Sequence, residues 1–187
     1  MFVSRIDVMV DPLLEALATT ANSDDVRSLI GKVAIANAKL AYQDWKETCQ
    51  GRRWQALASR GARPQRMLWA STGTKDPRFS DVLYVEQLIG MNTVDTIPPA
   101  TLKALRDHGK AEDRLEQGID EARQVMADLE FVGISYDAIA RRLLDEGVEA
   151  FSKSFDKLLS SIDKKKERVL TRLPGARRSD TLQSARR

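Results

Sequence analysis

A chain of 187 residues, 42% apolar and 30% charged, has the composition of a soluble globular protein and can bury a core of its own. No stretch approaches the ~18 uninterrupted apolar residues needed to span a bilayer, and the opening MFVSRIDVMVDP carries Arg5 and Asp7 inside a short apolar run with no small-residue cleavage site after it. A single cysteine, Cys49, excludes an intrachain disulfide and a cysteine-based zinc site, so the cytoplasm is the expected compartment. The net charge of +3 is uneven: residues 164–187 hold nine Lys/Arg against two acids, which leaves residues 1–163 at −4. Clustered cations can mark an arm for nucleic acid or a membrane surface. The tail has no aromatic residue to stack on bases, however, and Pro174, Gly175 and its Ser/Arg mixture read better as a helix end followed by a disordered terminus. Neither a nucleic-acid nor a membrane partner is expected.

In chain order, FVSRIDV is β-branched and aromatic and predicts a strand, with Asp11-Pro12 turning into helical LLEALATT. Met1 stands directly on that strand without a polar lead-in, an abruptness that points to truncation. Asn22 or Ser23 can cap a helix running to Gly51, with Leu29, Val33, Ala34, Ala38, Ala41, Tyr42 and Trp45 at helical spacing and Gly31 as a weak point inside it. After a second helical piece, RWQALASRG, the spacing predicts a strand over Met67–Ala70, a polar loop over Ser71–Asp76 and a helix from about Phe79 to Ile89. A second such unit follows: strand Thr93–Ile97, Pro98-Pro99 opening a helix, and a stop at Gly109. From Ala111 to about Leu170 the pattern is helical, broken near Gly133, with Ser135 and Asp137 favouring the next helix start. Three successive βα units make this an α/β protein with a parallel sheet, divided into a folded part at 1–170 and a basic tail at 171–187.

In parallel βα proteins the strand-to-helix loops converge at the C-terminal ends of the strands, where helix N-termini offer unpaired N–H groups. Ser71-Thr-Gly-Thr-Lys75 supplies three hydroxyls, a glycine backbone and an ammonium directly after a strand, a composition suited to a phosphate. It does not match the nucleotide P-loop pattern, and taken alone it reads equally as a polar turn with a solvated lysine. Arg5, in a different βα loop, adds a second cation and favours the anion reading. His108 reads as a helix C-terminal cap, Cys49 as an inert thiol, and Trp45, Trp54 and Trp69 as core. No pair of carboxylates is spaced as a recognisable general acid and base.

FVSRIDVMVDP, GKVAIANAKLAYQ, RPQRMLWASTGTKDPRFSDVLYVEQLIG, TVDTIPPATLKALRDHG and GVEAFSKSFDKLL together resemble transaldolase, in that order and over about residues 1–165. The likeness is to the longer bacterial forms with the WASTGTK loop. It implies the last three βα units of a (β/α)₈ TIM barrel plus C-terminal helices, since 187 residues fall short of the roughly 250 of a whole barrel. It also implies Schiff-base transfer of a dihydroxyacetone unit from sedoheptulose 7-phosphate to glyceraldehyde 3-phosphate in the pentose phosphate pathway, with sugar phosphates as ligands and without metal or cofactor. By the same resemblance Arg5 and Ser71 match phosphate-binding residues, Phe2 borders the pocket, and Lys75 is the only cation where the family has a second phosphate-binding arginine. The Schiff-base lysine and essential carboxylates belong to strands expected upstream of Met1. The alternatives are an inactive truncated fragment and a phosphate-binding half-barrel that self-associates or needs a complementary N-terminal half. The basic tail could also derive from a junction to a glucose-6-phosphate isomerase.

Overall fold

A computed structural model describes residues 1–19 and 23–172. Its elements are α1 (Ser4–Ala18), α2 (Ser23–Arg27), α3 (Val33–Gln50), α4 (Arg52–Ala58), β1 (Met67–Trp69), α5 (Leu83–Gln87), β2 (Thr93–Asp95), α6 (Pro99–His108), α7 (Ile119–Phe131) and α8 (Tyr136–Arg172). Contacts divide the chain into one unit over Met1–Leu143 and another from Leu144 onward. The expected basic tail at 171–187 and the cap at Asn22 or Ser23 lie almost wholly outside the described residues and side chains.

In the first unit β1 and β2 pair in parallel, with Met67 opposite Thr93 and Trp69 opposite Asp95. Phe2 forms a parallel bridge to Ala70 on the other side of β1. Three consecutive chain segments therefore lie side by side, but the first is a stub. Its ladder runs from Ala70 N–H to Met1 O (2.8–3.0 Å range, here 2.9 Å), through Val3 N–H to Ala70 O (2.8 Å), to Ser4 N–H on Ser71 O (3.0 Å).

The predicted strand FVSRIDV is accordingly corrected to a bridge followed at once by α1. Beyond Ser71 the neighbouring segment leaves the sheet, so nothing remains for residues after Ser4 to pair with. From Val3 onward the apolar residues instead follow helical period: Val3, Ile6, Val10 and Leu14 are all buried on one stripe. Pro12 then sits inside α1 and not at a turn before it. Its missing N–H would orphan the carbonyl of Val8, a residue exposed enough for water to serve that carbonyl.

The single helix expected up to Gly51 is two helices. Gly31 adopts φ +74° between them, and its N–H donates to Asp11 Oδ1 at 3.0 Å. α3 starts with Lys32 at its N-cap and no local side-chain cap. Its cap comes from α1: Asp7 Oδ1 accepts the Ala34 N–H at 2.8 Å, while Asp7 Oδ2 accepts the Tyr84 hydroxyl at 2.8 Å. A carboxylate at a helix N-terminus satisfies an orphan donor and complements the dipole. The helix expected from Phe79 is shorter, α5 alone, and residues 109–118 are not helical. The stops at Gly51 and Gly109 fall where expected.

The core joins the α1 stripe to Val33, Ala34, Ala38 and Tyr42 of α3, Trp69 of β1, and Tyr84, Leu88, Leu115, Leu129, Ile134 and Ile139. It lies on one face of the sheet. Side chains alternate across a strand, so Trp69 is 1% exposed whereas Leu68 and Phe2, on the opposite face, are each 44% exposed.

Burial raises the Asp11 carboxyl to about 6 from an ordinary 3.8, opposed by the Gly31 hydrogen bond and reinforced by the charges of Asp7, Glu15 and Asp76. Between about pH 4 and 6 the folded state holds a proton that the unfolded chain has released, so stability falls as pH rises through that window and stays lower above it. Asp11→Asn keeps an oxygen for Gly31 N–H and removes the charge. It is expected to gain about 1 kcal/mol at pH 8, allowing for solvent screening, and to lose part of the slope between pH 4 and 6. Thermal melts of both proteins across that range check this; identical profiles contradict it.

Candidate anion site at the strand ends

The C-terminal ends of the bridge segment, β1 and β2 gather the first turn of α1, the loop 71–76 and the start of α6. Arg5 lies in that first turn, exposed, with its guanidinium carbon 5.0 Å from the Phe2 ring centroid. This is cation–π distance, and it holds the charge over the Phe2 ring. Ser71 takes φ +57°, a left-handed conformation that costs a non-glycine residue roughly 1–2 kcal/mol. The strained turn is tied to α1 by the Ser4 N–H to Ser71 O bond, which sets Arg5 one residue from the serine's backbone partner. Ser4 itself is 1% exposed, and its hydroxyl has no hydrogen-bond partner among the described residues.

The three hydroxyls of the loop are not equivalent. Thr72, fully buried, donates to Asp95 Oδ1 at 2.9 Å and so pins the loop to the end of β2. Burial raises the Asp95 carboxyl above its ordinary range, against the Thr72 hydrogen bond. Thr74 donates to Ser80 O at 2.7 Å. Of the three, the Ser71 hydroxyl alone has no hydrogen-bond partner among the described residues. Gly73 is packed so closely that a Cβ there would meet Thr101 Oγ1 at 3.2 Å and Pro98 Cγ at 3.4 Å, at the N-terminus of α6.

Lys75 is exposed and lines a cavity of about 300 Å³ together with Asp7, Asp11, Glu15, Asp76 and Arg78. Its charged neighbours there are mostly carboxylates, and neither Arg5 nor Ser71 lines that cavity. The structure thus brings Arg5, Phe2 and Ser71 together, and Lys75 lines the acidic cavity.

Other charged groups have structural partners. His108 bonds Asp81 (2.9 Å) and Asp107 (3.3 Å), which raise its pKa, so its place at the end of α6 is held by carboxylates as well as by the dipole. Lys39 is 7% exposed on α3, its ammonium donating to Gln117 O at 2.8 Å, and desolvation lowers its pKa. Lys39 had no signal in the sequence: it falls on a stripe of alanines that reads as a close-packed helix face. Asp7 and Asp11 did have one, two acids four residues apart within the apolar stripe of α1, but a strand reading of that segment hides it. Among the described residues no three His, Cys, Asp or Glu side chains are grouped to hold a metal ion, and no helix is long and apolar enough to cross a membrane.

Parallel strands with adjacent helices, and a loop of polar residues at the strand ends, define an α/β protein. The profile of the transaldolase/fructose-6-phosphate aldolase family matches residues 1–162, and the chain belongs to that family, whose fold is of the TIM-barrel type. It is 49% identical over 162 residues to a transaldolase of Thiobacillus denitrificans, covering 87% of this chain and 44% of that protein. A transaldolase of Trichodesmium erythraeum is 42% identical over 174 residues (90% and 46% of the two chains), and a transaldolase 2 of Nostoc is 44% identical over 171 residues (88% and 45%). The chain therefore spans a little under half the length of these curated relatives.

Proposed function

We propose that this chain supplies the phosphate-holding end of a transaldolase site, and that its three βα segments correspond to the last three of a (β/α)₈ barrel. The transfer would move a dihydroxyacetone unit from sedoheptulose 7-phosphate to glyceraldehyde 3-phosphate through an imine on a lysine carried by polypeptide outside these 187 residues. A protonated imine accepts the electron pair left by C–C cleavage, which calls for an amine held near neutral pKa in a partly desolvated pocket at the strand ends. Lys39 meets the desolvation requirement but sits on α3 with its ammonium committed to Gln117 O. Lys75 is exposed among carboxylates. Neither fits the imine role.

The observation that carries the reading is the pairing of Arg5 over Phe2 with the left-handed Ser71, in a chain of this family. Arg5 would take the phosphate through charge-assisted hydrogen bonds, Ser71 would donate its hydroxyl, and Ser4 lies beside them with an unused hydroxyl. Lys75 adds positive charge from the loop, with less weight than Arg5 because its cavity is acidic. Phe2 borders the sugar. The open face of Phe2, Leu68, Ala70 and Val94 would then be barrel interior, covered when the remaining βα units are joined to it.

The test is a chimera in which the part of the Thiobacillus denitrificans transaldolase preceding the matched segment is joined to this chain. In it, Arg5→Ala is expected to cost about 1.5–3 kcal/mol in kcat/KM with phosphorylated donors and little with the unphosphorylated ketose. Equal losses for both would show that Arg5 serves structure and does not read the phosphate.

A further inference from the structure

The second unit carries a pattern that the sugar-phosphate reading does not use. Along α8, Leu144, Val148, Phe151, Phe155, Leu158, Ile162 and Val169 are 51–67% exposed and fall at alternating spacings of four and three residues, with Lys165 in the one remaining seam position. This is an a/d seam of roughly four heptads, the spacing of a coiled coil, with exposed Leu159 and Leu170 beside it. An apolar stripe of that length marks an interaction surface.

The charges select the occupant. Asp145, Glu146 and Glu149 stand at the start of this stretch, whereas Lys164, Lys165, Lys166 and Arg168 stand toward its end. We propose that α8 pairs head to tail with α8 of a second copy of this chain, about a two-fold axis between Asp156 and Lys157. In that register Phe155 faces the second copy's Leu158, Phe151 faces Ile162 and Leu144 faces Val169. Lys165 meets Val148, and Asp145 flanks the second copy's Lys166 at the e positions. A parallel pair would instead bury Lys165 against Lys165 in the seam, a like-charge contact that disfavours it.

Sedimentation equilibrium of the whole chain is expected to give a dimer of the 21.0 kDa protein at micromolar concentration. Phe155→Glu with Leu158→Glu should raise the dissociation constant at least 100-fold while circular dichroism of the chain stays the same. Asp145→Lys or Lys166→Asp alone should weaken the dimer, and the two together should restore it. An equimolar mixture of Ser152→Cys and Leu159→Cys chains, both carrying Cys49→Ser, should be joined by a short bis-maleimide into mixed dimers. A monomer at these concentrations would mean that other polypeptide, or nothing, covers this face. A dimer that survives the double glutamate variant would place association at the open sheet edges, and insensitivity to the charge swap would remove the head-to-tail arrangement; each result overturns the proposal.

Discussion

Gly31→Ala is expected to destabilise the first unit by about 2–5 kcal/mol. Two separate costs meet at this residue. Its φ of +74° is left-handed, which an alanine adopts at a cost of roughly 1–2 kcal/mol. A Cβ would also stand 2.6 Å from Phe79 Cζ and 2.9 Å from two further ring carbons, so the ring or the turn must shift, at about 1–3 kcal/mol more. The turn cannot shift freely, because Gly31 N–H is held by Asp11 and the N-terminus of α3 by Asp7. Gly61→Ala provides the control: it has φ +92° with nothing within 4 Å of the added methyl, so it incurs the conformational cost alone. Urea denaturation of both variants separates the terms. Equal midpoints would show that Phe79 yields without cost.

The second large effect concerns turnover. The isolated chain is expected to show no transfer between sugar phosphates, because binding a phosphate at Arg5 supplies no electron sink for the carbanion. The chimera with the preceding part of the Thiobacillus denitrificans enzyme is expected to restore it. The assay is aldose-dependent transfer from a ketose phosphate, measured on both proteins at equal concentration. Activity of the isolated chain would require a reactive amine of its own, and Lys39 would be the first to examine.

Much of the fold can be read from the sequence where local pattern and tertiary demand agree. Pro98-Pro99 and Gly109 bound α6 because a proline at N1 and a glycine past the end act locally. β1 and β2 follow from short β-branched and apolar runs set between polar turns, and their parallel pairing from the helix between them. The opening segment fails for a tertiary reason. Phe-Val-Ser-Arg-Ile-Asp-Val has strand composition, yet its neighbour leaves the sheet at Ser71, and burial of Ile6, Val10 and Leu14 at helical period overrides propensity. That error concealed Asp7 and Asp11, whose helical spacing puts them on the core side of α1. Gly31 was visible as a weak point in a long helix; that it is a left-handed break needs Asp11 and Phe79, residues 20 and 48 positions away. Arg5, Phe2 and Ser71 could be picked out as a group by resemblance. That Thr72 and Thr74 spend their hydroxyls on Asp95 and Ser80 could not, since neither acceptor has a sequence signature.

Borohydride reduction in the presence of fructose 6-phosphate, followed by peptide mass spectrometry, tests the central claim most directly. Run on the chimera, it is expected to place the reduced ketose adduct on a lysine of the added segment and on none of this chain's lysines; run on the isolated chain, it is expected to place none. A site-specific adduct on Lys39, Lys75 or any other lysine of these 187 residues would contradict the assignment of the phosphate end to this chain and the imine to its complement.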